Sequence, residues 1–130
     1  MTKTETATPA RILVVDDEPQ NLELIEAILA PVGYEIFLAS NGDEALTLAA
    51  ERRPDLLILD LMMPGLSGFE VCARVKMHPQ TGSIPVLFVT AVTQVGDKER
   101  ALAAGGDDFL TKPFQRVELL ARVEALLKVR

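Results

Sequence analysis

Five polar residues stand at the ends of apolar runs in this chain of 130 residues. They are three carboxylates, one hydroxyl and one amine: Asp16, Asp17, Asp60, Thr90 and Lys112. Three carboxylates held close together repel one another unless a cation lies among them. An all-oxygen cluster is typical of hard cations. Mg2+ fits because it usually takes one or two carboxylates, keeps several waters and shares a phosphate oxygen.

The amine and the hydroxyl add the other half of this chemistry. Lys112 carries a point charge that suits a phosphate oxygen, and the hydroxyl of Thr90 can donate to a second one. With such neighbours, Asp60 can act as a nucleophile and hold a phosphoryl group covalently. Because phosphoryl transfer depends mainly on positioning and charge neutralisation, these residue types predict a site that handles phosphoryl groups.

The run that ends in Asp60 organises the elements around this site. Residues 56–59 are all apolar and lie between Pro54 and Pro64-Gly65. A short apolar run bounded in this way is typical of a strand buried on both faces, in the middle of a parallel sheet. Ligand sites of open α/β sheets lie at the carboxyl ends of the strands. The pattern therefore places Asp60 at the functional edge of a sheet.

Strands and helices alternate five times along the chain. The predicted strands cover residues 11–15, 34–39, 56–59, 85–90 and 108–111, and the predicted helices cover about 20–32, 43–53, 69–76, 97–104 and 115–129. This alternation indicates right-handed βαβ units and helices on both faces of a parallel sheet. We expect an α/β, flavodoxin-like (βα)5 three-layer sandwich with strand order 2-1-3-4-5. Its switch point lies between strands one and three, which end at Asp17 and Asp60.

Composition limits the class of protein. Hydrophobic residues make up 48% of the chain, which is enough for one core, so we expect one domain over residues 11–130 after a disordered leader, residues 1–10. The net charge of -6 weighs against direct binding of nucleic acid. No apolar run approaches the roughly 20 residues that span a membrane. Without a signal peptide and with Cys72 alone, the sequence favours a cytoplasmic protein.

The full set of motifs resembles one known family. Asp16-Asp17, Asp60 followed by Met63-Pro64-Gly65, Thr90-Ala91 and Lys112-Pro113-Phe114 are similar to the signature of the receiver domain of bacterial two-component response regulators. The resemblance covers about residues 11–129. It implies phosphorylation of Asp60 by a histidine kinase or a histidine phosphotransfer protein. The domain is then a phosphoacceptor switch that assists its own phosphorylation and dephosphorylation, and not an enzyme.

The resemblance also assigns roles to neighbouring residues. It implies a Mg2+ site made of Asp16, acting through water, with Asp17, Asp60 and the backbone carbonyl of Met62. Thr90, the amide of Ala91 and Lys112 hold the phosphoryl oxygens, and Thr90 and Phe109 form the switch pair. We expect the Phe109 ring to turn inward when phosphorylation draws the Thr90 hydroxyl to a phosphoryl oxygen. A cis peptide between Lys112 and Pro113 is implied as well. The last helix has a wide apolar face. We therefore expect a docking or homodimer surface made by the fourth helix, the fifth strand and the last helix.

Other readings of the same residues remain open at this stage. The runner-up is a Mg2+-dependent phosphohydrolase with an aspartyl nucleophile, but Met62 stands where that class carries its general acid. A flavin carrier needs phosphate-cradling loops, and the loop after Val15 offers two acids instead. A receiver used only as an interaction module does not need the intact set of five residues. The sequence fits both a complete single-domain regulator and a part of a longer protein.

Overall fold

The protein is described here by a computed structural model, which covers residues 8–91 and 95–128. Its strands are β1 (Arg11–Val15), β2 (Glu35–Ala39), β3 (Leu56–Leu59), β4 (Val86–Ala91) and β5 (Asp108–Lys112). Its helices are α1 (Pro19–Leu29), α2 (Gly42–Arg52), α3 (Gly68–Met77), α4 (Asp97–Ala103) and α5 (Arg116–Lys128), with a 3-10 turn at Ala30–Val32. The leader expected at residues 1–10 lies mostly outside the described residues.

The five strands form one parallel sheet in the order β2-β1-β3-β4-β5. This order confirms the flavodoxin-like fold that the alternation of elements predicts. All four residues of β3 are buried. Leu57 and Leu59 pack toward one helical layer, while Leu56 and Ile58 pack toward the other. The continuous apolar run in β3 therefore reflects burial on both faces of the central strand.

The helices form two layers, one on each face of the sheet. Buried residues of α1 and α5 pack on one face, and buried residues of α2, α3 and α4 pack on the other. The longest helix is α5, with 13 residues. Within residues 8–91 and 95–128, every helix falls short of the length and hydropathy that a membrane crossing requires.

Strand register brings the predicted functional residues to one edge. Val15 pairs with Leu59 in the sheet. The residues that follow them, Asp16 and Asp60, therefore leave the sheet side by side. The backbone N–H of Asp60 donates to the carbonyl of Val15 at 3.1 Å. This bond holds the carboxyl end of β3 against β1, where chain order changes direction at the switch point.

The loop of residues 60–67 after β3 returns toward the end of the strand, where α3 begins. The N–H of Gly68 donates to the carbonyl of Leu61 at 2.9 Å. A Cβ at Gly68 would lie 2.2 Å from the carbonyl oxygen of Asp60, so only glycine permits this approach. Ser67 and Glu70 form a capping box at the start of α3. The strand, loop and helix around Asp60 are thus one tightly closed unit.

Candidate functional site

Three donors hold the carboxylate of Asp60 at the end of the central strand. Its Oδ1 accepts a hydrogen bond from the Thr90 hydroxyl at 2.6 Å and one from the Met62 backbone N–H at 3.2 Å. Its Oδ2 lies 3.4 Å from Nζ of Lys112. Asp60 is only 7% exposed. A buried carboxylate with three donors has a defined orientation, which is what a nucleophile at a fixed position needs.

The two acids after β1 complete a cluster with Asp60. One oxygen each of Asp16, Asp17 and Asp60 can be chosen so that all three lie within 4.8 Å of one another. Asp16 is buried and accepts from the backbone N–H of Glu18 at 3.0 Å, while Asp17 is half-buried. The structure therefore brings together the three carboxylates that the sequence placed on neighbouring strand ends.

Lys112 supplies the cation that lies among these carboxylates. Its Nζ is 2.7 Å from Oδ2 of Asp16, closer than it is to Asp60. Burial lowers the pKa of Lys112, but the hydrogen bond to Asp16 and the charges of Asp60 and Asp16 outweigh burial and raise that pKa above its ordinary value. The peptide bond between Lys112 and Pro113 is cis, as the resemblance implied.

The cluster opens into a cavity of about 430 Å³. Residues from four strand ends and from α1 line it: Asp17, Glu18, Asn21, Asp60, Met62, Thr90, Ala91 and Lys112. Glu18 and Asn21 were not predicted. The Asn21 amide donates to the Glu18 carboxylate at 2.9 Å. Their position shortly after Asp17, in the connection that leaves the same sheet edge, was the signal that could have identified them.

A family model for the response regulator receiver domain matches residues 12–124. The chain belongs to this family. Its receiver domain is similar in sequence to two curated regulators. PleD of Caulobacter vibrioides is 47% identical over 121 residues, which are 93% of this chain and 27% of PleD. RpaA of a Synechocystis species, a DNA-binding dual master transcriptional regulator, is 45% identical over 91% of this chain and 49% of RpaA. The chain thus spans half or less of the length of these two relatives.

Solved structures are similar to the receiver domain over nearly its whole length. The chemotaxis protein CheY4 of Vibrio cholerae, crystallised at low pH, has a TM-score of 0.86 and 34% identity, and the match covers 92% of this chain and 99% of that one. The receiver domain of sensor histidine kinase PA1611 from Pseudomonas aeruginosa also has a TM-score of 0.86, with 32% identity and coverage of 93% and 99%. That structure has a magnesium ion coordinated in its active-site cleft.

The acid cluster of this receiver domain fits a hard divalent cation. Three carboxylates face one ammonium group, so negative charge is in excess. All candidate ligands are oxygens, the donor type that Mg2+ prefers. The cluster can therefore hold a metal ion with the residues already in place.

The predicted switch pair lies beside the cluster, with both side chains turned inward. Thr90 is 1% exposed, and its hydroxyl already donates a hydrogen bond to Asp60. Phe109 is 7% exposed, and its ring centroid lies 6.4 Å from that of Phe88. We expected the Phe109 ring to turn inward after phosphorylation. In this structure the ring is already buried, because it packs beside Phe88 in the core.

Two other side chains with reactive or polar groups, Cys72 and His78, differ in their surroundings. Cys72 is fully buried, and burial, with a smaller contribution from Asp107, raises the pKa of its thiol to about 11, partly offset by Lys76. It is a small apolar residue of the core. His78 follows the end of α3, and its Nδ1 accepts from the backbone N–H of Gln80 at 3.1 Å. It lies in the connection that leads to the amino end of β4, whereas the acid cluster lies at the carboxyl ends of the strands.

Proposed function

We propose that this receiver domain accepts a phosphoryl group on Asp60 and thereby acts as a switch in a cytoplasmic phosphorelay. The donor is a histidine kinase or a histidine phosphotransfer protein. One observation supports this most strongly. The Asp60 carboxylate is held at the cavity by the Thr90 hydroxyl and the Lys112 ammonium group, with two further acids beside it. This set matches the needs of phosphoryl transfer, namely a positioned nucleophile and neutralised charge.

The reaction forms one bond and breaks one. A carboxylate oxygen of Asp60 attacks phosphorus, and the bond between phosphorus and the donor imidazole nitrogen breaks. The electron pair of that bond stays on the imidazole, which leaves. The product is a mixed anhydride of carboxylate and phosphate, which water later hydrolyses to aspartate and inorganic phosphate. Oδ2 is the oxygen available for attack, because Oδ1 already accepts two hydrogen bonds, one of 2.6 Å from Thr90 and one of 3.2 Å from Met62.

The metal site proposed here uses groups of the acid cluster. Asp17, Asp60 and the backbone carbonyl of Met62 would hold Mg2+, and Asp16 would act through water. Bound there, the ion would neutralise negative charge on the phosphoryl group. Lys112 would leave Asp16, from which its Nζ now lies 2.7 Å away, to meet a phosphoryl oxygen with its positive charge.

Phosphorylation then changes the hydrogen bonds of Thr90. Its hydroxyl and the amide of Ala91 bind phosphoryl oxygens in place of the present bond to Asp60. The added charge is about -1.5 to -2. Movement of Thr90 alters the packing of Phe109 and the face made by α4, β5 and α5. That face is the surface proposed for a partner or a second copy of the chain, since a switch requires contacts that differ between its two states.

A switch explains the site better than a phosphohydrolase does. The residue two positions after the nucleophile would be the general acid of that enzyme class, and here it is Met62. Its side chain is 55% exposed and carries no proton to donate. Position 62 therefore offers no group that could protonate a leaving oxygen, and we propose a phosphoacceptor rather than an enzyme.

Mass spectrometry of the intact protein tests this function. After incubation with acetyl phosphate and Mg2+, the wild type should gain one phosphoryl mass. Asp60→Asn should not, because an amide is not nucleophilic enough to attack phosphorus. Asp43→Asn is the matched control, since Asp43 is an exposed acid in the first turn of α2. A phosphoryl gain that persists in Asp60→Asn, or one that is lost in Asp43→Asn, would contradict the assignment.

A further inference from the structure

The loop between β3 and α3 carries Met62, whose carbonyl belongs to the proposed metal site. Two of its side chains point into the core, because Leu61 is 1% exposed and Met63 is 8% exposed. Met62 between them points outward into the cavity. This alternation orients the start of the loop. The return of the loop toward α3 is held at a different place, by Leu66.

Leu66 packs where α2 begins. The side chain is half-buried against the core cluster that also contains Val71. A Cβ built on Gly42 would lie 2.7 Å from Cβ of Leu66 and 2.9 Å from a methyl group of Val71. Real Cβ atoms essentially never approach other atoms this closely. Leu66 therefore occupies space that any larger residue at position 42 would take.

Backbone conformation does not account for the glycine at position 42. Gly42 is outside the group of glycines with positive φ, which are Gly33, Gly65, Gly96 and Gly105. Gly42 is not needed to cap α2 either, since the side chain of Asn41 accepts a hydrogen bond from the backbone N–H of Glu44 at 2.8 Å. The remaining reason for glycine at position 42 is the close approach of the β3–α3 loop, which brings Leu66 against the start of α2. The role of Gly42 is to admit Leu66.

We propose that Leu66 is a positioning residue for the metal site. Its packing against Gly42 holds the β3–α3 loop in the conformation that presents the Met62 carbonyl and the Asp60 carboxylate to Mg2+. This inference rests on the proposed function, because it concerns the same site. It adds a requirement on α2, an element that supplies no ligand. The position of the start of α2 sets how well the loop binds the ion.

Two variants change the contact from opposite sides. Leu66→Ala removes the side chain that anchors the loop, and Gly42→Ala places a methyl group where the anchor packs. Each should weaken Mg2+ binding on the order of tenfold, the lower end of the range for groups that orient metal ligands. Leu66→Met keeps a long apolar side chain and should retain wild-type affinity. Isothermal titration calorimetry with MgCl2 measures the dissociation constant directly, without any phosphoryl donor.

Gly82→Ala separates a positioning role from a general loss of stability. Gly82 lies between α3 and β4, and a Cβ there would be 2.9 Å from the carbonyl oxygen of Lys76. The crowding is similar, but it is away from the metal site. Gly82→Ala should lower the melting temperature and leave Mg2+ affinity unchanged.

Two results would overturn the proposal, and they differ. If Leu66→Ala and Gly42→Ala bind Mg2+ as the wild type does, the contact serves stability alone. If the wild type itself fails to bind Mg2+, the proposed metal site is wrong and the role of Leu66 falls with it. Should Gly42→Ala not fold, the comparison of Leu66→Ala with Leu66→Met decides the question alone.

Discussion

Two lysine–aspartate networks lie at opposite edges of the sheet, and they differ in charge balance. At the amino edge, Nζ of Lys76 donates to the carbonyl of Ile84 at 2.6 Å and to Oδ2 of Asp107 at 3.0 Å. The same carboxylate oxygen accepts from the backbone N–H of Val86 at 2.8 Å. One ammonium group faces one carboxylate, and each has partners. This network joins α3 to the starts of β4 and β5.

At the carboxyl edge, one ammonium group faces three carboxylates. Lys112 pairs with Asp16 and Asp60, and Asp17 lies within the same cluster. This network also borders an open cavity. The two ion-pair networks of this molecule can therefore be distinguished by their charge balance. A balanced network joins elements, whereas an unbalanced one beside a cavity has the charge and the space to take a ligand.

Removing each lysine in turn should give the largest contrast. Lys112→Met should slow phosphorylation by acetyl phosphate on the order of 100-fold, because it removes a donor to the developing phosphoryl charge. Lys76→Met should leave that rate nearly unchanged and lower the free energy of unfolding by about 1 kcal/mol, since Asp107 keeps its backbone donor. Intact mass against time and urea unfolding measure the two effects. Equal losses of rate in both variants would remove the functional distinction between the two edges.

Mg2+ should stabilise the protein through the unbalanced network only. At a concentration one hundred times its dissociation constant, a ligand adds about 2.7 kcal/mol of stability, so the melting temperature should rise by several degrees. Asp17→Asn should abolish this rise, and it should raise stability without metal because it relieves repulsion among like charges. Asp107→Asn should lower the melting temperature and keep the rise. A wild-type melting curve that does not respond to millimolar Mg2+ would contradict the site.

Thr90→Ala should leave phosphorylation in place while uncoupling the switch. The variant retains Asp60, the other acids and Lys112 but loses the hydroxyl that now bonds Asp60. NMR shifts around Phe109 should respond to beryllofluoride in the wild type and not in this variant. Thr111→Ala is the matched control, because Thr111 pairs with Thr90 in the sheet and its side chain is exposed. Equal responses in the wild type and Thr90→Ala would show that Thr90 is not the coupling residue.

The smallest expected effect is on stability at alkaline pH. The folded-state pKa of Lys112 lies above its ordinary value of 10.5, because bonds and charges from Asp16 and Asp60 outweigh burial. The stability it contributes is therefore fully present below pH 10.5 and is lost as pH rises through the higher folded-state pKa. Urea unfolding on either side of pH 10.5 should show a steeper decline in the wild type than in Lys112→Met.

The alkaline experiment needs one correction for a second group. Burial and the charge of Glu124 also raise the pKa of Tyr34, so this residue contributes in a neighbouring pH range. Both proteins should therefore carry Tyr34→Phe. Identical slopes in this background would mean that the ion pairs of Lys112 contribute no measurable stability.

The strands, their order and the sheet edge that carries the candidate site could be predicted from local patterns in the sequence. Apolar runs such as residues 56–59 and 86–89 are local signals, since a strand buried on both faces has few alternatives. Parallel strands joined by right-handed crossovers leave few topologies. The positions of Asp16, Asp17, Asp60, Thr90 and Lys112 at strand ends followed from the same patterns together with the family resemblance.

The contacts among these groups, in contrast, depend on how the folded chain packs. Nζ of Lys112 lies 2.7 Å from Oδ2 of Asp16 and 3.4 Å from Oδ2 of Asp60, although 96 residues of sequence separate Lys112 from Asp16. The Thr90 hydroxyl donates a hydrogen bond to Asp60, and the Phe109 side chain is already buried. Leu66 packs in the space that Gly42 leaves free. These contacts depend on side-chain rotamers and on ångström-scale distances between segments far apart in the chain. Local sequence patterns do not contain these distances. The carboxyl edge of the sheet could therefore be predicted as the site, but the side-chain contacts within the site could not.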